Sequence, residues 1–267
     1  MATRTFHSPK SVQRWPRLAA MPRAGWNARP ACTAGMKTLK GGNTSHCDRV
    51  NGIAEAARRR QTWQRFLVIM VKAPVAGRVK TRLAREVGTV AATGFYRHAT
   101  DALITRVGRD PRWQTRLAVA PDTTQFARYW GRSVASRPQG GGDLGQRMQR
   151  VFHLMPPGPV VIVGSDCPGI AAIDIAQAFR ALGTADAVFA PAEDGGYCLV
   201  GQHRTPRSLP MFKDVRWSTD STLADTLANL GSHSVAMLRH MYDVDNADDL
   251  TRLKGTAGRR VRPMASG

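Results

Sequence analysis

The sequence predicts an α/β fold: one mostly parallel, twisted sheet with helices on both of its faces. Three observations carry this. Runs of strand length, FLVIMV at 66–71 and PVVIVG at 159–164, are apolar throughout, as strands buried on both sides must be. Segments with helical spacing separate such runs, so β and α elements alternate. Charged and glycine-rich motifs fall directly after the strands, and in such sheets ligands gather outside the carboxyl ends of the strands.

The elements follow in order. Phe66–Val71 reads as a buried strand that ends in a glycine-containing turn, and an amphipathic segment follows it. Thr89–Val107 spaces its apolar residues on one helical face. Thr115–Pro121 is a short strand, Thr123–Trp130 a helix and Ser133–Ser136 a third strand. Asp143–Met155 is a helix opened by a capping box of Asp143 and Gln146, in which each side chain satisfies the other residue's N–H. Pro159–Gly164 is the clearest strand, and Ile170–Leu182 is a helix. Ala187–Pro191 and Tyr197–Gly201 are strands joined through Asp194-Gly195-Gly196. Thr219–Leu230 is a helix, Ser234–Leu238 a strand and Asn246–Leu253 a last helix capped by Asn246. There is no internal repeat, so 66–254 is expected as a single domain and 255–267 as a flexible tail.

The net charge of +20 raises nucleic acid as a partner, but the charge is uneven. Residues 1–65 hold 13 of the 39 Lys and Arg against only Asp48 and Glu55 of the 19 acids, which leaves 26 bases with 17 acids in 66–267. That balance argues against a nucleic-acid surface on the folded part. Residues 1–60 lack a sustained apolar period and are rich in Arg, Pro, Gly and Ser, so a basic, disordered extension is expected. A basic arm for nucleic acid or targeting is the alternative, as is untranslated sequence ahead of a later start at Met36. No run of 18 apolar residues suits a membrane helix, and no signal-peptide core is present. Cys32, Cys47, Cys167 and Cys198 form no metal-ligand spacing, so a reducing cytoplasm is expected, with Cys167 and Cys198 as small buried thiols.

Four motifs carry candidate chemistry. The turn from Lys72 to Leu83, KAPVAGRVKTRL, sets Lys72, Arg78, Lys80 and Arg82 at a strand end and a helix start, with Pro74 and Gly77 shaping it. Cations at a helix N-terminus oppose its dipole, and a bound phosphate offsets that cost. Asp166, in GSDCP, directly follows the PVVIVG strand; it either ligates Mg²⁺ or Mn²⁺ or closes a turn before Pro168. Glu193-Asp194-Gly195-Gly196 reads as a hairpin turn or as a glycine-lined approach for a ligand. Asp243 and Asp245 share a side if extended, and paired carboxylates repel unless a cation lies between them. Two weaker features are the 140–148 loop GGGDLGQRM, where Gly142 and Asp143 either cradle a base or sugar or form a capped helix start, and Trp217, which either stacks on an acceptor or packs.

With QGGGDLGQRM, PAEDGGYCLVG, VRWSTDSTLADTL and DVDNADDL added, the chain resembles an uncharacterised bacterial family of glycosyltransferase-A-like (GT-A-like) proteins, some in an arsenosugar context. The resemblance spans about 66–254 and implies the GT-A fold shared with nucleotidylyltransferases. It implies that Lys72, Gly77, Lys80 and Arg82 bind nucleotide, that Asp166 and Asp245 hold a metal, and that Asp194 sits at the acceptor side; Pro74 with Gly142 and Asp143 on the nucleotide side, and Gly195, Gly196 and Trp217 on the acceptor side, are the further candidates. The chain departs from glycosyltransferases in having no D-x-D, only Ser165-Asp166-Cys167-Pro168, and it lacks the G-G-x-S/T-x-R-M/L-G signature of many sugar nucleotidylyltransferases. The expected activity is a metal-dependent transfer from a nucleotide-sugar to a small-molecule acceptor, with Asp166 and Asp194 as the catalytic candidates; nucleotidyl transfer is the alternative.

Overall fold

The strand β1 (Phe66–Lys72) is the spine of the sheet, and six of its seven residues are buried. Parallel neighbours flank it: β2 (Gln114–Ala120) on one edge and β4 (Gly158–Gly164) on the other. Phe66 stands level with Gln114 and Val160, Lys72 with Ala120, and Met70 with Gly164. This register brings the residues after β1, β2 and β4 to one edge of the sheet. The computed structural model describes residues 63–124, 127–130, 134–244 and 246–251. The expected extension 1–60, the tail 255–267 and Asp245 lie outside the described residues.

Among the described residues seven strands run in the order β3-β2-β1-β4-β6-β5-β7, with β3 at Ala135–Pro138, β5 at Ala187–Pro191, β6 at Tyr197–Arg204 and β7 at Val235–Met237. β6 is antiparallel to both β4 and β5, and the other pairs are parallel. The short 192–196 connection explains this, because a parallel return needs a crossover of a dozen residues or more.

Side-chain alternation divides β1 between two cores. Leu67, Ile69 and Val71 pack under α2 (Thr89–Gly108) and α5 (Ala172–Ala181), through Leu103, Ile175 and Phe179. Phe66, Val68 and Met70 face α4 (Leu144–Leu154) and the 211–230 region, through Val151, Phe152 and Phe212. Helices therefore cover both faces, as the all-apolar strands required.

The remaining helices are short. They are α1 (Thr81–Val87), α3 (Ala127–Trp130) and α6 (Thr222–Ala228). The helix expected from Thr219 starts later because Thr222 Oγ1 donates to the Arg216 and Thr219 carbonyls, a local turn that competes with helix. The Asp143–Gln146 capping box forms, with Gln146 N donating to Asp143 Oδ1 at 2.7 Å. Asn246 caps the helical turn at 247–251 by accepting from Asp249 N at 2.9 Å. Among the described residues no helix is long and apolar enough to cross a membrane.

The expectation of two free thiols is corrected. Cys167 and Cys198 are joined in a disulfide, with Cα atoms 6.0 Å apart. The cause is topological: Val163 of β4 stands opposite Leu199 of β6, so the residues just past one strand and at the start of the other meet.

Candidate functional site

The turn after β1 is held by its own backbone, Val75 N donating to Ala73 O and Arg78 N to Val75 O. Gly77 lies at φ +75, a conformation glycine adopts without cost. Lys80 lies at φ 45 and ψ 49, which in a residue with a Cβ costs about 1–2 kcal/mol. It caps α1 without a side-chain cap bond, and its ammonium goes elsewhere. Lys80 Nζ lies 3.6 Å from Asp166 Oδ1, with the lysine side chain 5% exposed and the aspartate side chain 52% exposed. A buried ammonium needs such a partner, because stripping it of water is costly.

A tyrosine joins the two strand ends. The Lys72 N–H donates to Tyr96 Oη at 2.8 Å. The Tyr96 hydroxyl also lies 3.1 Å from the Lys72 carbonyl and 3.0 Å from Ser165 Oγ. Burial first, then the charge of Asp166, hold its phenol above the usual range. Gln139 completes the frame, its amide donating to the Val71 and Ala118 carbonyls.

Two cavities open at this edge. The first, about 450 Å³, is bordered by Lys72, Arg147, Asp166, Asp194, Trp217 and Asp243, and the disulfide forms part of its wall. The second, about 650 Å³, is bordered by Lys72, Arg78, Asp122, Gly140, Gly141 and Arg147. Both cavities are thus bordered by cations and carboxylates together.

Of the residues singled out in the sequence, Lys72, Asp166, Asp194, Gly196, Trp217 and Asp243 border the first cavity, Arg78 borders the second, and Lys80 pairs with Asp166. The others take different places. Pro74, Gly77 and Arg82 border neither cavity; Arg82 is exposed on α1. The Asp143 carboxylate is spent on the helix cap, and the Gly142 carbonyl accepts from Arg147 Nε at 2.8 Å. Gly195, at φ +84, has the backbone of Asp220 where a Cβ would stand, so its missing side chain admits this chain's own loop. Gly196 N donates to Asp194 Oδ1 at 2.9 Å, which fixes that carboxylate. Trp217 leans on Gly145 and on Phe212, whose ring centroid is 6.1 Å away.

Sequence reasoning missed Tyr96, Gln139, Ser165 and Arg147. Arg147 sat inside a quoted motif, where its cationic side chain was the available signal. Tyr96 sits in mid-helix, where nothing local separates it from an ordinary core residue.

Among the described residues no group of three His, Cys, Asp or Glu is placed to hold a metal. Asp166 and Asp243 nevertheless border one cavity. Mg²⁺ is commonly held by one or two carboxylates with substrate phosphates and water completing its shell, so the donor set fits.

The sheet order and the charged residues at its edge are those of an α/β protein with a polar cavity at the carboxyl ends of its parallel strands. Over residues 103–219 the chain matches the family described as "Uncharacterized protein conserved in bacteria (DUF2064)". Among solved structures it is similar to a protein of Desulfovibrio desulfuricans G20 provisionally assigned as a nucleotide-diphospho-sugar transferase. The two are 27% identical, with a TM-score of 0.70 over 76% of this chain and 91% of that one. The 4-diphosphocytidyl-2C-methyl-D-erythritol synthase of Anaerococcus prevotii DSM 20548 shares the fold, at 10% identity and a TM-score of 0.50 over 73% of this chain and 99% of that one. No curated protein sequence matches the chain. The GT-A-like resemblance read from the motifs and the α/β class both hold, and it is the Desulfovibrio protein whose provisional assignment is to a transferase.

Proposed function

We propose that the protein is a metal-dependent glycosyltransferase that takes a nucleotide-sugar and a small-molecule acceptor. The observation that carries this is the Lys80–Asp166 pair, whose aspartate borders a cavity with Lys72, Asp194 and Trp217. The likeness to the Desulfovibrio protein supports the donor class.

Each residue has a role in this reading. Lys72 neutralises phosphate at the end of β1. Lys80 holds the Asp166 carboxylate in place. Asp166, with Asp243 and Asp245 as candidates for the second contact, holds Mg²⁺ or Mn²⁺, which when bound neutralises charge on the departing diphosphate. Asp194, oriented by the Gly196 N–H, accepts a hydrogen bond from the acceptor hydroxyl and takes its proton as the new bond forms. Trp217 and Gly196 border the space the acceptor occupies, and the Cys167–Cys198 disulfide forms part of its wall.

A thermal-shift screen of nucleotide-sugars and nucleoside di- and triphosphates, with and without Mn²⁺, tests this. A nucleotide-sugar that stabilises the fold only with Mn²⁺ is expected. Stabilisation by triphosphates alone, with pyrophosphate released on adding a phosphorylated acceptor, would instead establish nucleotidyl transfer.

A further inference from the structure

Lys72 and Arg147 alone border both cavities. They form a cationic threshold between a chamber bordered by Arg78, Asp122, Gly140 and Gly141 and a chamber bordered by Asp166, Asp194 and Trp217. Arg147 stands in the first turn of α4, and its Nε donates to the Gly142 carbonyl at 2.8 Å. That single bond anchors the guanidinium and leaves both Nη groups without a partner among the described residues. The Lys72 backbone is clamped by Tyr96, while its side chain is exposed at the cavity edge. Lys80, by contrast, is buried and already turned to Asp166.

We infer that Arg147 is an anion-binding residue, which with Lys72 holds the diphosphate of the ligand at this threshold. The ligand class that fits is a diphosphate diester with a bulky group at each end, one per chamber. The guanidinium suits it because its planar donors meet two phosphate oxygens at once, whereas an ammonium acts as a point charge. This rests on the nucleotide-sugar reading and adds a residue to it: the anion sits between Arg147 and Lys72, and Lys80 serves the carboxylate.

The test is calorimetry on the full chain in Mn²⁺, with UDP, GDP, CDP and ADP, the matching monophosphates and inorganic pyrophosphate as probes. Arg147→Met should weaken the bound nucleoside diphosphate by about tenfold or more, and the monophosphate by less, the scale of a lost charge-assisted contact. Pyrophosphate should compete with the diphosphate in the wild type. Arg147→Gln, which still reaches the Gly142 carbonyl, should show the same loss at an unchanged melting temperature, so a fold defect in the Met variant is separable. If the wild type binds a nucleoside diphosphate and both variants bind it equally well, Arg147 is not in the site and the transferase reading stands. If the wild type binds none of the probes, both are overturned.

Discussion

Lys80 Nζ stands 3.6 Å from Asp166 Oδ1, and the two partners differ in exposure: the ammonium is buried and the carboxylate is half in water. The lysine therefore bears the burial cost. Asp166→Asn should remove metal-supported nucleotide binding in calorimetry. It should also lower stability by about 1–3 kcal/mol, because it leaves a buried ammonium facing a neutral amide. Retention of both affinity and melting temperature would remove the pair from the site.

The backbone of Lys80 gives a separate prediction. Its left-handed conformation suits glycine, so Lys80→Gly should be more stable than Lys80→Ala by about 1 kcal/mol in urea unfolding. Both variants should lose nucleotide affinity, which separates the side-chain effect from the backbone effect.

Tyr96→Phe deletes the hydroxyl that accepts the Lys72 N–H and meets Ser165. An unsatisfied amide there should cost about 1–3 kcal/mol by chemical denaturation. The phenol's folded pKa lies above its ordinary value, by burial first and then by Asp166. Tyr96 therefore contributes stability that is whole below about pH 10 and declines as pH rises through the folded pKa. A wild-type loss in alkali that Tyr96→Phe reduces is expected.

Asp174 gives the opposite limb. Its buried carboxylate takes both Arg239 Nε and Nη2 at 2.7 Å and accepts the Ala171 N–H at the start of α5. Burial pushes its pKa up, but the Arg239 hydrogen bonds and the Ala171 N–H outweigh that and hold it below the usual range. This contribution is present above about pH 4 and falls away as pH drops through the folded pKa. Asp174→Asn should cost about 1.5–3 kcal/mol near neutral pH, the scale of hydrogen bonds to a charged group, and lessen the acid sensitivity of the melting temperature.

Cys167 and Cys198 are 31 residues apart, so opening their disulfide should cost about 3–4 kcal/mol on the chain-entropy account. Cys167 adjoins Asp166, so a dithiol reductant should lower both the melting temperature and nucleotide affinity. The Cys167→Ser/Cys198→Ser double variant should reproduce this and be insensitive to reductant.

Much of the fold was legible because it is written in local pattern. The all-apolar runs at 66–71 and 159–164 require cover on both faces, and they have it. The capping boxes at Asp143 and Asn246 formed because their partners lie three residues away. Where local signals compete the bounds moved, as side-chain bonds of Thr222 delayed the expected helix; the strand expected over Ser133–Ser136 runs over Ala135–Pro138, with Ser133 outside the described residues. In the site, strand-end position pointed to Lys72, Asp166 and Asp194, but Gly195 and Asp143 carry turn and cap duties that share the same residue types.

The amino-acid order by itself determined the alternating α/β architecture, the charged strand ends and the position of the acidic turns, since burial and periodicity act over a few residues. Only the tertiary structure decided that Lys80 turns inward to Asp166 and that Tyr96 bonds Ser165, 69 residues further along. It alone decided that two cysteines close a bond and that Arg147 and Lys72 border the same two chambers. The physical reason is register: which side chains share a space depends on how β1, β4 and β6 align side by side, and segments distant in sequence settle that alignment together.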